Sequence, residues 1–88
     1  MIYEWDESKR VSNLEKHGLD FPLAKQIMES PVMFDVIDNR FDYSEERHLA
    51  YAEINGVRLC LCYVPKPDDT IRVVSLRRAH TKEWGKLI

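Results

Sequence analysis

No stretch of this 88-residue chain is long and apolar enough to cross a bilayer. Its longest apolar run, around Val57 to Val64, falls well short of the ~20 residues a spanning helix needs. The N-terminus lacks the basic region and following apolar stretch of a secretory signal, so no membrane role is expected and the cytoplasm is the expected location. Glycines number only three and do not cluster, which leaves no glycine-rich phosphate loop. A nucleophile elbow and an HExxH helix are missing too. The two cysteines, Cys60 and Cys62, stand one residue apart. On a strand they share a face with Cα atoms nearly ~7 Å apart, which strains a disulfide. Free thiols packed in a sheet, in a reducing compartment, are the expectation. A zinc site usually needs two ligand pairs, and the single C-x-C has no second pair. Neither a metal nor a cofactor is expected.

What is present suits a folded protein. Hydrophobic content of 44% and charged content of 32% argue against disorder. Residues 1–88 are expected to form one domain. The net charge of −2 hides an asymmetry. Residues 1–70 carry 8 Lys/Arg against 14 Asp/Glu, whereas residues 71–88 carry 5 Lys/Arg and one acid, Glu83. A basic end on an acidic body keeps a nucleic-acid partner open.

Periodicity and turn residues predict the order β-α-α-β-β-β-β-α. A short strand ends near Asp6, an N-cap for a helix from Glu7 to about Lys16. Val11 and Leu14 give that helix a narrow apolar stripe, and Gly18 stops it. Asp20 caps a second helix with Pro22 in its first turn and Ala24, Ile27 and Met28 on its buried side. Strands follow at Val32–Asp38, Arg47–Ile54, Val57–Val64 and Thr70–Leu76. Asn55-Gly56 between the second and third of these is the strongest short hairpin signal a sequence offers. Val57–Val64, apolar on both faces, belongs in the centre. The segment TKEWGKLI reads as a last short helix, capped by Thr81 and weakened by Gly85. The fold class is α+β: an antiparallel sheet with two N-terminal helices packed on one face and a short C-terminal helix.

Candidate chemistry gathers at the basic end. Strict alternation sets Arg72, Val74, Leu76 and Arg78 on one face and Ile71, Val73, Ser75 and Arg77 on the other. At ~3.3 Å per residue, Arg72 and Arg78 lie about 20 Å apart, too far for one phosphate but suited to successive phosphates of RNA. Arg77, Arg78, His80 and Lys82 form a cationic cluster, and surface pairing with nearby acids is the competing use of each. His17, at a helix C-terminus, is favoured as imidazolium by about 0.3–1 kcal/mol and can exchange a proton or merely cap. Metal-free chemistry with Arg, Lys and His suits RNA, whose 2′-hydroxyl is its own nucleophile.

Three segments carry a resemblance: Tyr3–Phe21, Glu45–Leu59 and Ile71–Glu83. The opening E-W-D…N-x-x-K-H-G (Glu4-Trp5-Asp6 through Asn13, Lys16, His17 and Gly18) and the closing I-R-[IV]-[IV]-S-x-R-x-A (Ile71 to Ala79) are its most specific pieces. They resemble the BrnT family, ribonuclease toxins of bacterial type II toxin–antitoxin systems. The resemblance implies a RelE-like fold and metal-independent cleavage of RNA that arrests growth. It implies a partner too: a ribbon-helix-helix antitoxin of the BrnA type, in a heterotetramer that touches operator DNA only through the antitoxin. Residues carried over are His17, Arg47, Arg72 and Arg77 for catalysis and Lys16, Arg58 and Arg78 for RNA, with His80 and Lys82 beside them. The end departs from the family pattern. Family members often continue as E-R-x-x-Y, whereas here Trp84 follows Glu83 and that tyrosine is missing. This implies a weakened or inactive enzyme that only captures antitoxin or RNA, or one leaning harder on Arg72 and Arg77. Trp84 either stacks on a base, worth about 1–3 kcal/mol, or joins the core.

Overall fold

Caps and turns divide the chain into its elements. The computed structural model describes residues 1–40 and 42–87. Its order is β1 (Ile2–Glu4), α1 (Glu7–His17), a 3-10 turn (Phe21–Leu23), α2 (Ala24–Met28), β2 (Phe34–Asp38), β3 (Arg47–Ile54), β4 (Val57–Lys66), β5 (Thr70–Arg78) and α3 (Thr81–Gly85). Asp6 caps α1 by accepting from the N–H groups of Ser8 at 2.9 Å and Lys9 at 3.2 Å, donors that a helix start leaves unpaired. Gly18 ends α1 at φ 69°, a left-handed conformation that disfavours side chains. Asn55 (φ 51°) and Gly56 (φ 80°) are both left-handed, the geometry that matches the twist of hairpin strands. β3 and β4 accordingly pair from Ile54↔Val57 out to His48↔Tyr63.

The strands lie in the order β1-β5-β4-β3-β2. Three neighbouring pairs are antiparallel, but β1 runs parallel to β5. The sheet is mixed, not wholly antiparallel as expected. No turn joins β1 to β5, so nothing forces them into opposite directions. The N-terminal amine instead pairs with Asp69 at 3.1 Å, and the Ile2 N–H donates to the Asp69 carbonyl at 2.8 Å.

β4 is central, with Leu59 to Val64 buried on both faces. On one face Leu59, Leu61 and Tyr63 meet Phe21, Ala24 and Ile27 from the helical segment, together with Ala50, Val73 and Leu76. The opposite face carries Cys60 and Cys62, both buried free thiols. α3 lies against this second face: the Tyr51 hydroxyl, in register with Cys60, donates to Glu83 at 2.9 Å. Trp84 meets the Phe34 ring edge-on at 6.2 Å. The helices therefore do not all share one face. The cap of α3 is His80, not Thr81, and its N–H donates to the Glu83 carboxylate at 2.8 Å.

α1 also departs from its pattern. Val11 and Leu14 are 42% and 39% exposed, while the buried residue is Asn13. The Asn13 amide donates to the Leu76 carbonyl at 2.8 Å and accepts from the Leu76 N–H at 3.0 Å. It donates as well to the Leu19 carbonyl at 3.1 Å. β1 covers the edge of β5 only from Thr70 to Arg72. Further along that edge, Asn13 supplies the two hydrogen bonds a neighbouring strand would give. α1 docks by polar pairing rather than by an apolar stripe.

Candidate active site

A bulge in β5 decides which arginines meet. Cys60 is in register with Arg77, Leu61 with Leu76 and Cys62 with Ser75, but Tyr63 is in register with Val73 and Val64 with Arg72. Val74 is the extra residue, and one extra residue resets the alternation of a strand. Val73 and Leu76 thus both face the core, and Arg72 joins Ser75 and Arg77 on the opposite face. The strict alternation expected from sequence, with Arg72 on the side of Leu76 and Arg78, does not hold. Leu49 is in register with Cys62 and Arg47 with Asp38, which brings Arg47 to the same face as Arg72. Arg78, in register with core-facing Leu59, lies on the other side and is exposed.

Arg47 and Arg72 line a hollow of about 280 Å³ with Asp6, Lys9, Glu45 and Val73. Glu45 stands among three cations. It pairs with Arg72, with Lys66 at 3.8 Å and with Arg47 at 3.9 Å. The connection between β2 and β3 holds this arrangement. Buried Asp38 accepts from Arg40 at 2.8 and 2.9 Å and from the Tyr43 hydroxyl at 3.2 Å. Those bonds, Arg40's first, bring the Asp38 carboxyl down to about 2. The Tyr43 ring in turn carries the Arg47 guanidinium 4.1 Å from its centroid, a cation–π contact. Arg47 Nε is buried with no hydrogen-bond partner among the described residues. A buried donor without an acceptor is uncommon in folded proteins.

A second hollow of about 390 Å³ adjoins the first, and Lys9 lines both. Its walls are Ser8, Ser12, Asn13, Lys16 and His17 from α1 and Val74 and Ser75 from β5. Lys9, Lys16 and His17 make no ion pair with any described residue. His17 and Lys16 are therefore neighbours of the arginine hollow and do not line it.

The far end of β5 is arranged differently. Arg77 is held by Glu83 at 2.5 and 3.2 Å. Burial pushes the Glu83 carboxyl up, but Arg77, the His80 N–H and the Tyr51 hydroxyl together hold it down to about 2. Burial raises the nearby Cys60 thiol to about 11, so it stays protonated. Arg58 pairs with Glu53 at 3.4 Å and lies 5.0 Å from the Trp84 ring centroid. Trp84 is half-buried between Phe34 and Arg58. Arg78, His80 and Lys82 are exposed around this end. The candidates thus fall into two groups: Arg47, Arg72, Lys16 and His17 along the two hollows, and Arg58, Arg77, Arg78, His80 and Lys82 around α3.

Three contributors escaped the sequence reading: Glu45, Lys9 and Asn13. Asn13 and Glu45 both sit in segments that carry the resemblance, and their place there was the available signal. His48 is a further unanticipated group. It contacts Glu46 at 2.8 Å and Asp35 at 3.2 Å and stacks on Tyr63. Burial opposes its charge, but Glu46 and Asp35 raise its pKa overall. Its register with Tyr63 puts it on the face opposite the arginines. Among the described residues, no group of three or more His, Cys, Asp or Glu is placed to hold a metal ion, and no helix is long and apolar enough to cross a membrane.

A mixed five-stranded sheet with an arginine-lined hollow beside its first helix defines a small α+β protein of one recognisable kind. Residues 5–83 match the family described as "Ribonuclease toxin, BrnT, of type II toxin-antitoxin system". The crystal structure of the Brucella abortus ribonuclease toxin BrnT superposes with a TM-score of 0.67, at 30% sequence identity, covering 92% of this chain and 100% of that one. A search of curated proteins gave no match. The chain belongs to the BrnT toxin family of type II toxin–antitoxin systems.

Proposed function

We propose that this chain is a metal-independent endoribonuclease that cuts RNA by attack of a ribose 2′-hydroxyl on the adjacent phosphorus, and that a BrnA-type antitoxin neutralises it. The observation carrying this reading is the continuity of two cationic hollows through Lys9, with Arg47 and Arg72 in one and Lys16 and His17 in the other. A single strand laid along α1 and β5 meets free cations first and paired arginines next. RNA brings its own nucleophile, so the protein need only hold the phosphate in line and offset the growing charge. Arg47, with a buried donor that finds no acceptor among the described residues, and Arg72 take the phosphoryl oxygens. His17 exchanges a proton from the adjoining hollow, and Lys16 steers the backbone. Arg77, Arg58, Arg78, His80 and Lys82 serve a more distant part of the strand, with Arg77 becoming available when α3 lifts. The antitoxin, a ribbon-helix-helix protein in a heterotetramer, links the toxin to operator DNA.

A second reading has its own observation. Arg58, Arg72 and Arg77 are each paired with a carboxylate. A toxin whose arginines stay so engaged captures its antitoxin without cutting. Incubating purified protein with total RNA in EDTA separates the two. Cleavage leaving 2′,3′-cyclic phosphate or 3′-phosphate ends is expected, and intact RNA at high protein concentration favours the binding module. The Arg72→Ala, Arg77→Ala double variant is expected to lose about 10²–10³ in rate or more, the size seen when one well-aimed donor is removed. Undiminished cutting by that variant overturns the site assignment.

A further inference from the structure

We propose that Glu45 is the general base that takes the 2′-hydroxyl proton, and that the RNA phosphate frees it for this task by drawing its cations away. The inference rests on the nuclease reading above. Two carboxylates line the hollow with Arg47 and Arg72, those of Asp6 and Glu45. Asp6 is committed elsewhere: its Oδ1 accepts from the Ser8 hydroxyl and from the N–H groups of Ser8 and Lys9, which fixes the start of α1. The partners of Glu45 are of another kind. They are Arg72, Lys66 and Arg47, all side-chain cations on three different strands, and each is suited to a phosphate. His48 faces the other side of the sheet, and His17 lines the neighbouring hollow.

Three cations around one carboxylate leave the cluster with a net charge of +2. A phosphodiester entering the hollow carries a single negative charge, and a second develops as O2′ closes on phosphorus. Phosphate and Glu45 then compete for the same guanidinium and ammonium groups, and the phosphate competes best in the transition state. Interactions that strengthen only there are the ones that raise kcat. As the cations turn to phosphorus, the Glu45 oxygens are left open to accept a proton. In the step itself the 2′-hydroxyl proton passes to Glu45, and the O2′ electron pair forms the O2′–P bond. The P–O5′ bond breaks with its electrons on O5′, which takes a proton from His17 in the adjoining hollow, directly or through water. The products are a 2′,3′-cyclic phosphate and a 5′-hydroxyl, and the proton on Glu45 passes back to His17 through solvent.

A tethering role and a basic role for Glu45 differ in one observable. Glu45→Gln keeps the shape and removes the competing charge, taking the cluster from +2 to +3. The base reading expects single-stranded RNA to bind as tightly as to wild type or tighter. Cleavage falls about 10²–10⁴-fold, the usual contribution of general acid–base catalysis. A tether that merely positions the arginines predicts weaker binding and slower cutting together, and that result overturns the proposal, as does cutting at the wild-type rate. The measurements are fluorescence anisotropy and gel cleavage of one end-labelled RNA, with thermal unfolding as the check on folding. Should Glu45→Gln fail to fold, Glu45→Asp keeps the charge and withdraws it by one methylene. A rate loss of tenfold or more at unchanged affinity then supports the base role, and an unchanged rate overturns it. If wild-type protein leaves the RNA intact, the nuclease reading itself has failed, which is a separate result.

Discussion

Asn13 joins the first helix to the last strand with one side chain. Its amide presents a donor and an acceptor to Leu76 as a peptide group of an added strand would, and both bonds are buried. Asn13→Ala removes them and leaves the Leu76 N–H and C=O without partners. An unsatisfied buried polar group costs roughly 1–3 kcal/mol, so a loss of about 2–4 kcal/mol is expected. In a domain of this size that lowers Tm by about 10–20 °C in calorimetry. Asn13→Asp retains the acceptor for the N–H but sets a carboxylate against the Leu76 carbonyl, so it should be no better. A fall of less than 3 °C for both variants contradicts the pairing. This residue stood in the N-x-x-K-H-G segment, yet helix periodicity looks for apolar spacing and assigned the contact to Val11 and Leu14. A polar docking bond to residue 76 leaves no trace in local pattern. Glu45 was missed for the same reason, since its meaning depends on Lys66 and Arg72, distant in sequence.

Elements held by local chemistry were legible. The β3–β4 hairpin follows from Asn55-Gly56, the α1 boundaries from Asp6 and Gly18, and the centre of the sheet from the apolar run of β4. The parallel β1 and the Val74 bulge were not legible, because each is a choice of partner and register made across the chain. α3 illustrates the same limit. Its sequence suggested a cap at Thr81, whereas its anchor is Glu83, bonded to the His80 N–H, Tyr51 and Arg77. Because the Glu83 carboxyl falls from its ordinary 4.5 to about 2 on folding, the stability it contributes is complete above 4.5 and lost as pH drops toward 2. Asp38 titrates over a similar window, so the comparison must be with Glu83→Gln. Urea unfolding of wild type should lose roughly 1–3 kcal/mol more between pH 5 and about pH 2 than that variant, the worth of hydrogen bonds to a charged group. Parallel pH curves for the two proteins refute an ionic anchor for α3.

At the scale of the molecule, the charge asymmetry of the sequence pointed to the basic last 18 residues, and the structure redistributes that signal. Of those residues Arg72 lines the arginine hollow, while Lys9, Glu45, Arg47 and Lys66 come from the acidic body. Folding gathers cations that sequence position scatters, so composition of a segment says little about where its field acts. If RNA follows the two joined hollows, its affinity must carry the salt signature of phosphates neutralised there. For single strands log K falls with log salt at about −0.7 per phosphate contact. Lys9 and Lys16 make no ion pair with any described residue, so both are free to release counterions on binding. Lys9→Ala, Lys16→Ala should flatten the slope by about 1.4, twice the value per contact. Lys25→Ala makes a useful control. Lys25 is exposed on α2 and lines neither hollow, so its loss should leave the slope where it was. Equal slopes for all three proteins put the RNA somewhere other than the groove of α1 and β5. A flatter slope for Lys25→Ala alone sends it across the helical face of the sheet.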